Sequence, residues 1–167
     1  MTRPRIASAI AVALAIVVGL GAAAYIYSRP STQNGTPACQ DPDSISSHIY
    51  NPNRLIILKT CIVVSGTVDR VLAEADGDYH LRLHLDSAYA NLTNSANDAY
   101  QYGDLIVEVI CARAVTQQDA IGACENYVNR IPIPSENQHI TVSGPYVLDT
   151  EHHNWAEIHP VYSLTIS

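Results

Sequence analysis

Two polar clusters contain the side chains whose types and spacing suit chemistry. They span residues 74–80 and 149–160, and five of the seven histidines lie in these clusters or beside them. Trp155, Glu157 and His159 alternate along the second cluster. Because side chains of a strand alternate between its two faces, these three would share one face if the stretch is extended.

An imidazole and a carboxylate on one side of a sheet suit two kinds of chemistry. With a further histidine they would form a His/His/carboxylate site for zinc or iron. The candidate metal ligands are His80, His152, Glu157 and His159. A carboxylate beside an imidazole can also act as a general base with an oriented partner. The sequence therefore allows a metal-binding protein or a metal-dependent hydrolase, with a divalent metal as its cofactor and no specific catalytic residue assigned.

The same residues also have a structural interpretation, which we prefer. Asp76-Gly77-Asp78 is the sequence that a tight hairpin needs. A Glu–His pair two residues apart on a strand is often a surface hydrogen bond, and Trp155 suits a plug at the end of a barrel. On the next stretch Leu81 and Leu83 point one way, whereas His80, Arg82 and His84 point the other way and are predicted to face solvent.

The pattern of apolar residues predicts a mainly β fold with one short helix. Predicted strands span residues 60–72, 79–86, 105–111, 139–148 and 158–166, with a bend or bulge at Gly66 and the third strand central. Residues 87–103 are predicted to be a long loop with one helical turn, 116–127 a helix and 131–134 extended. This order favours a five-stranded OB-like Greek-key barrel over a small β-sandwich or another small barrel.

The N-terminal region predicts export. Residues 6–27 form an uncharged apolar run of the length that crosses a bilayer, and residues 1–5 are a basic end that favours the cytoplasm. A flexible linker over residues 28–58 and a folded domain over 59–167 would follow. The chain is then a single-pass cell-membrane protein with an extracytoplasmic domain. The alternative is a secreted protein whose signal peptide is cleaved.

The four cysteines predict two disulfides in an exported domain. Sequence alone leaves three pairings open; we prefer Cys111 with Cys124 and Cys39 with Cys61. A zinc site is the alternative, although the chain contains no CxxC pair. Asn34 and Asn91 begin short glycosylation patterns, which matter only in a host that glycosylates exported chains.

Charge makes nucleic acid an unfavourable partner. Two of the nine basic residues precede the apolar run, so the remaining seven face sixteen acidic residues. Nucleic-acid binding needs a basic patch, and the sequence has no cluster of Lys and Arg.

Five segments of the chain together resemble a family of small, uncharacterised, exported or membrane-anchored proteins of archaea and bacteria. The matching segments are residues 61–68, 74–80, 105–111, 142–149 and 152–160, and the resemblance extends over residues 61–166. It implies an OB-type fold at or beyond a membrane and supplies no reaction. His153-Asn154 departs from the His-Gly of that pattern, which matters only if the turn needs glycine.

The leading functional hypothesis is a non-enzymatic binding or interaction module. OB barrels bind ligands on the face of strands two and three and in adjoining loops. By that analogy the candidate ligand-binding residues are His80, Arg82, His84, Tyr100, Tyr102 and Trp155. The partner would be a small ligand, an oligosaccharide or another envelope protein. An accessory structural subunit of a membrane complex is a further alternative.

Overall fold

The computed structural model describes residues 37–167, which form one folded unit. The predicted cytoplasmic end, the predicted membrane helix and the first part of the predicted linker lie outside these residues. Within residues 37–167 no helix is both long enough and apolar enough to cross a membrane.

The folded part of the chain begins earlier than the predicted residue 59. Short 3-10 helices span Pro37–Cys39, Pro42–His48 and Pro52–Arg54, and the first strand begins at Leu55. Ile45 is completely buried, and a disulfide joins Cys39 to Cys61 in the first strand. This part of the predicted linker is therefore packed against the domain.

Six strands form one mainly antiparallel sheet. They are β1 Leu55–Ala73, β2 Tyr79–Leu85, β3 Leu105–Val109, β4 His139–Asp149, β5 Trp155–Ile158 and β6 Ser163–Ile166. Their order in the sheet is β1-β2-β3-β5-β4-β6, and β1 also pairs with β4. The sheet therefore curls back on itself. Its closure is uneven, because the parallel contact between β3 and β5 has only two residue pairs.

The length of β1 lets it take part in two pairings. Its second half pairs with β2 and most of its length pairs with β4, both antiparallel. The irregularity against β2 falls between Val68 and Arg70, not at Gly66 as predicted, and the register against β4 is continuous from Ser65 through Gly66 to Thr67. Gly66 has another role: a Cβ there would collide with the carbonyl oxygen of His84, so glycine allows the two strands to approach.

The inner face of the curled sheet holds the apolar core. Leu81 and Leu83 of β2 pack there with Leu105 and Val107 of β3 and Ile158 of β5, all completely buried. The alternation predicted for β2 places these leucines correctly. The prediction that the apolar strand 105–111 is central is also confirmed, since β3 lies between β2 and β5.

One short α-helix, α1 (Ser95–Gln101), packs on β3 and β5. Asn94 caps its N-terminus by accepting hydrogen bonds from the backbone N–H groups of Ala96 and Asn97. The buried amide of Asn97 donates to the carbonyls of Asp104 and Ala156 and accepts from the N–H of Ala156, each at 2.9 Å. These bonds attach the helix to the sheet, within the stretch predicted to be a loop with one helical turn.

Two predicted elements differ from the structure. The predicted helix over residues 116–127 is a series of turns, in which Ala120, Ala123 and Tyr127 each bond to the carbonyl three residues earlier. Gly122 disfavours a helix there, and the Cys111–Cys124 disulfide holds the segment against the end of β3. The predicted last strand, 158–166, is divided into β5 and β6 around Pro160, which has no N–H to donate to a ladder.

Both preferred disulfides are present, and all four cysteines are paired. The predicted hairpin is also confirmed: residues 74–78 form the turn between β1 and β2, and Gly77 has φ +100°. In the turn before β5, His153 and Asn154 are both left-handed, at φ 62°. Asparagine tolerates this conformation well, so the turn forms without the glycine of the resembling pattern.

Candidate functional site

The outer face of β2, β3 and β5 is polar and yet buried. His80 of β2 lies directly across from Glu108 of β3, and Ile106 of β3 lies across from Glu157 of β5. His80, Glu108 and Glu157 are at most 6% exposed. Helix α1 packs on β3 and β5, and Tyr50 and Arg54 lie beside His80 and Glu108, so side chains that alternation alone would place in solvent are enclosed.

His80 is the centre of this polar layer. Its Nδ1 lies 2.8 Å from Glu108 Oε1 and 3.8 Å from Glu74 Oε1. Its Nε2 lies 3.4 Å from Gln101 Oε1 at the end of α1. An amide oxygen can only accept, so Nε2 donates to it. Nδ1 therefore faces two carboxylate groups.

Glu74, His80 and Glu108 form a three-residue donor set. Each offers one ligand atom, and the three atoms lie within 4.8 Å of one another. One imidazole nitrogen with two carboxylate oxygens suits zinc and related divalent transition metals. The donation from Nε2 to Gln101 is the outer contact that usually orients a metal-binding histidine.

These three residues line a cavity of about 300 Å³. Its wall also includes Arg54, Asp76, Asp78, Gln117, Glu151, His152 and Trp155. Oε2 of Glu108 is buried without a hydrogen-bond partner. A buried carboxylate oxygen without a partner costs free energy, and a bound cation would remove that cost.

The charges of the cavity shift several pKa values. Burial lowers the pKa of His80, but the charge and hydrogen bond of Glu108 outweigh it and raise the pKa to about 9. Burial raises the pKa of Glu108, but the charge and hydrogen bond of His80 outweigh it, and the net shift is downward. Burial and the Glu108 charge raise the pKa of Glu74.

Asp78 is another carboxyl group of this cavity with a raised pKa. Burial, followed by the charges of Asp76 and Glu108, raises its pKa to about 8. The hydrogen bond that it accepts from the backbone N–H of Cys111, at 2.7 Å, opposes the shift. Asp78 is therefore mostly protonated at neutral pH, and the hairpin turn carries less negative charge than its sequence suggests.

A second network closes one side of the cavity. Arg54 forms an ion pair with Asp149, which is completely buried. His152 Nδ1 lies 2.8 Å from the same Asp149 carboxylate, and the His152 ring stacks on Trp155 with centroids 4.8 Å apart. Trp155 also meets His80 edge-on at 5.8 Å. The indole is thus wedged between two histidines.

Behind the indole lies a chain of three buried groups. Trp155 Nε1 donates to Glu157 Oε2 at 2.9 Å, and His159 Nδ1 lies 3.1 Å from Glu157 Oε1. Glu157 therefore uses both oxygens within this chain. Its partner His159 has one atom left, Nε2, which is buried and without a partner.

The structure does not gather the four predicted metal ligands at one point. His80 lies with Glu74 and Glu108, His152 pairs with Asp149, and Glu157 pairs with His159. The prediction that Glu157 and His159 share a face holds, but these two bind each other. Another compact donor group in the described part of the chain, Asp69, His84 and Asp104, is largely exposed.

The predicted ligand-binding residues fall into two groups. His80 and Trp155 are buried in the cavity wall, which corrects the prediction that His80 faces solvent. Arg82 lies over the ring of Tyr102, 4.5 Å from its centroid, and His84 is exposed beside Asp104. Tyr100 stacks on His153 at 4.0 Å. The surface group of Arg82, His84, Tyr100 and Tyr102 is separate from the cavity.

Sequence reasoning missed Glu74, Glu108, Arg54 and Asp149 as members of the site. Glu108 had a usable signal, because it is the one charge in the apolar run 105–111. A carboxylate in a central strand has to be buried, and a buried carboxylate needs a partner. The Arg54–Asp149 pair joins distant parts of the chain and carries no local signal.

Comparison of the chain with protein-family models, with curated proteins and with solved structures gave no match.

Proposed function

We propose that the domain of residues 37–167 binds a divalent transition-metal cation through Glu74, His80 and Glu108. The domain would act as a metal-binding module outside the cytoplasm. Zinc is the natural probe, because it accepts mixed nitrogen and oxygen ligands.

The position of His80 Nδ1 carries this proposal. The atom faces one carboxylate at 2.8 Å and a second at 3.8 Å, so a positive charge is needed between them. A proton on Nδ1 supplies it in the metal-free protein. A divalent cation would replace that proton, neutralise both carboxylates and give Glu108 Oε2 a partner.

The fold and the location of this module are part of the proposal. A ring of five paired strands that includes one parallel contact supports an OB-like, partly open barrel, with β6 added at its edge. The resemblance to small exported proteins points the same way. Two disulfides favour an oxidising compartment, and the apolar run of residues 6–27 would tether the domain to the membrane.

Metal binding is tested on the full chain, purified in mild detergent and stripped with a chelator. Zinc titration by calorimetry should show one saturable site, with release of protons as His80 loses its own. Glu74→Gln should weaken zinc binding by an order of magnitude or more, because it removes one of the three ligands. The fold should survive this change, because Glu74 is only half-buried.

The matched control is Glu151→Gln. Glu151 lines the same cavity but bonds to Asn51 and is not in the donor set. Equal zinc affinity in the wild type and in both variants would contradict the proposal, as would a wild type with no saturable site.

A metal-dependent hydrolase is the second candidate. Three protein ligands beside an open cavity leave a coordination position for water, as in catalytic zinc sites. Zinc-dependent hydrolysis of a nitrophenyl ester, lost in Glu74→Gln and kept in Glu151→Gln, would favour it. Zinc binding without turnover would leave the binding module as the better description.

A further inference from the structure

A second donor group lies farther along β2 than the metal site of the cavity. It consists of Asp69, His84 and Asp104, whose ligand atoms all lie within 4.8 Å of one another. His84 follows His80 by four residues, which is about 13 Å along a strand. None of the three residues belongs to the Glu74–His80–Glu108 donor set, so the group is a separate feature of the surface.

Asp69 joins this group through the irregularity in β1. The strand pairs with β2 on either side of Asp69 but not at Asp69 itself, so this residue is the extra one of a β-bulge. A bulge changes the direction of a side chain and is frequent beside functional sites. Here it accompanies an exposed carboxylate that lies close to His84 of the neighbouring strand.

Asp104 is the buried member of the group. It directly precedes β3, and its side chain is only 2% exposed. Its Oδ1 is buried without a hydrogen-bond partner among the described residues. His84 Nδ1 lies 3.6 Å from this oxygen, which is too long for a hydrogen bond. An unpaired carboxylate oxygen therefore faces an imidazole nitrogen without bonding to it.

The gap between Asp104 Oδ1 and His84 Nδ1 has the width that one bound cation needs. Two ligand atoms that are each about 2.1 Å from a zinc ion lie about 3.4 Å apart at a tetrahedral angle, close to the observed 3.6 Å. The His84 ring lies beside the buried oxygen, and its side chain is 73% exposed. A small rotation of this exposed ring admits an ion from the surface.

The two carboxylates of the group favour a cation. Burial, followed by the charge of Asp69, raises the pKa of Asp104, whereas the charges of Arg82 and His84 oppose the shift. A divalent cation between Asp69 and Asp104 would remove the repulsion between them. Arg82 Nε lies 3.9 Å from the other oxygen of Asp104, Oδ2. Because its positive charge opposes cation binding, we expect weaker binding here than in the cavity.

We propose that Asp69, His84 and Asp104 bind a second divalent transition-metal cation at the surface of the domain, with water in the remaining coordination positions. One imidazole nitrogen and two carboxylate oxygens suit zinc and manganese. The site does not depend on a metal in the cavity.

The test is a zinc titration of the full chain in mild detergent, followed through the imidazole ¹⁵N resonances. His84 reports the surface site and His80 reports the cavity, so one titration measures the two separately. The Nδ1 resonance of His84 should shift saturably, at zinc concentrations above those that fill the cavity.

Two variants remove a ligand of the surface site. Asp69→Asn changes an exposed residue and should weaken zinc binding at His84 at least about tenfold, since residues that only orient a metal ligand are already worth about tenfold or more. Asp104→Asn keeps the shape of the buried side chain and should have the same effect, with the amide spectrum of β3 showing that the variant is folded. Asp43→Asn, the matched change at an exposed aspartate outside the group, should titrate like wild type.

Three results would overturn the inference: no zinc-dependent shift at His84, a shift that identifies Nε2 instead of Nδ1 as the ligand atom, or equal zinc affinity at His84 in the wild type and in Asp69→Asn. The His80 resonances test the cavity alone, so the two metal proposals can fail separately.

Discussion

The two faces of β2, β3 and β5 are both buried but differ in chemistry. On the inner face, leucine, valine and isoleucine pack against one another. On the outer face the same strands present His80, Glu108 and Glu157 beneath helix α1. The strands and the backbone pairing are shared, so the difference lies in the side chains alone.

The apolar side chains of the inner face stabilise the fold, whereas the charged side chains of the outer face need another explanation. Each apolar side chain of the inner face contributes in proportion to the area that it buries. Each charged group of the outer face loses its hydration and needs a partner. Buried ion pairs rarely stabilise more than apolar residues of the same size would. Stability therefore does not account for the outer layer. Four buried polar atoms of the described residues lack a hydrogen-bond partner: Arg82 Nε, Asp104 Oδ1, Glu108 Oε2 and His159 Nε2. Arg82 and Asp104 lie 3.9 Å apart as an ion pair, whereas Glu108 Oε2 belongs to the proposed metal site.

The largest effect on stability is expected when one charge of the buried His80–Glu108 pair is removed from the outer face. Glu108→Leu leaves His80 buried without its main partner and should lower the free energy of unfolding by about 3–5 kcal/mol. The double variant His80→Leu/Glu108→Leu removes both charges and should recover most of that loss. Denaturant unfolding with chelator present measures both.

A single Glu108→Leu variant as stable as wild type would show that the pair is not energetically coupled. A double variant no more stable than the single would show that packing, not charge, explains the loss. Either result would contradict the claim that the two faces differ in how they contribute to stability.

A substitution on the inner face tests whether the apolar core acts independently of the charged outer face. Leu81→Ala removes a completely buried side chain and should cost about 3 kcal/mol through lost burial and the cavity left behind. The loss should be the same at pH 5 and pH 8, and zinc affinity should be unchanged once the protein is folded. A strongly pH-dependent loss would contradict the separation of the two faces.

The inner face could be predicted because its signal is local. The alternation of Leu81 and Leu83 and the apolar run at 105–111 each point to a core position without knowledge of the partner strand. The hairpin at residues 74–78 was predicted for the same reason, since aspartate and glycine specify the turn themselves.

The outer face could be predicted only in part. Alternation shows that Glu157 and His159 share a side, but not that the side is covered. The cover is α1, a short polar helix with no apolar stripe, held by the hydrogen bonds of one buried amide, Asn97. Such a contact between distant segments leaves no periodic pattern, so His80 was predicted to face solvent.

Raising the pH should destabilise the metal-free protein through the outer layer. The folded pKa of Asp78 is raised from 3.8 to about 8, so the folded state holds a proton between these values that the unfolded state has lost. The folded pKa of His80 is raised from 6.5 to about 9, so its stabilisation is complete below pH 6.5 and is lost as the pH rises through 9. Both effects lower stability from about pH 4 to pH 9.

The measurement is denaturant unfolding at pH 5, 7 and 9 with chelator present. One pKa unit corresponds to about 1.4 kcal/mol, so the loss from pH 5 to pH 9 should exceed about 1 kcal/mol. Asp78→Asn keeps the acceptor for the Cys111 N–H and should flatten the profile below about pH 6.5, while the loss due to His80 between pH 6.5 and 9 remains. Asp98→Asn, at an exposed position on α1, should leave it unchanged. Stability that rises with pH over this range would contradict the assignment.

The smallest change in stability is expected when the N-terminal cap of α1, the helix that covers the outer face, is removed. Asn94→Ala removes the cap of α1 and should cost about 1 kcal/mol, because two backbone N–H groups lose their acceptor. Asn91→Ala, at an exposed residue in the 3-10 helix Ser87–Leu92 that precedes α1, is the matched control and should cost little. If α1 covers the outer face of β3, amide hydrogen exchange in β3 should accelerate in the Asn94 variant more than exchange in β1 does. Equal acceleration in both strands would mean that the cap stabilises the whole domain and has no particular role in covering the outer face.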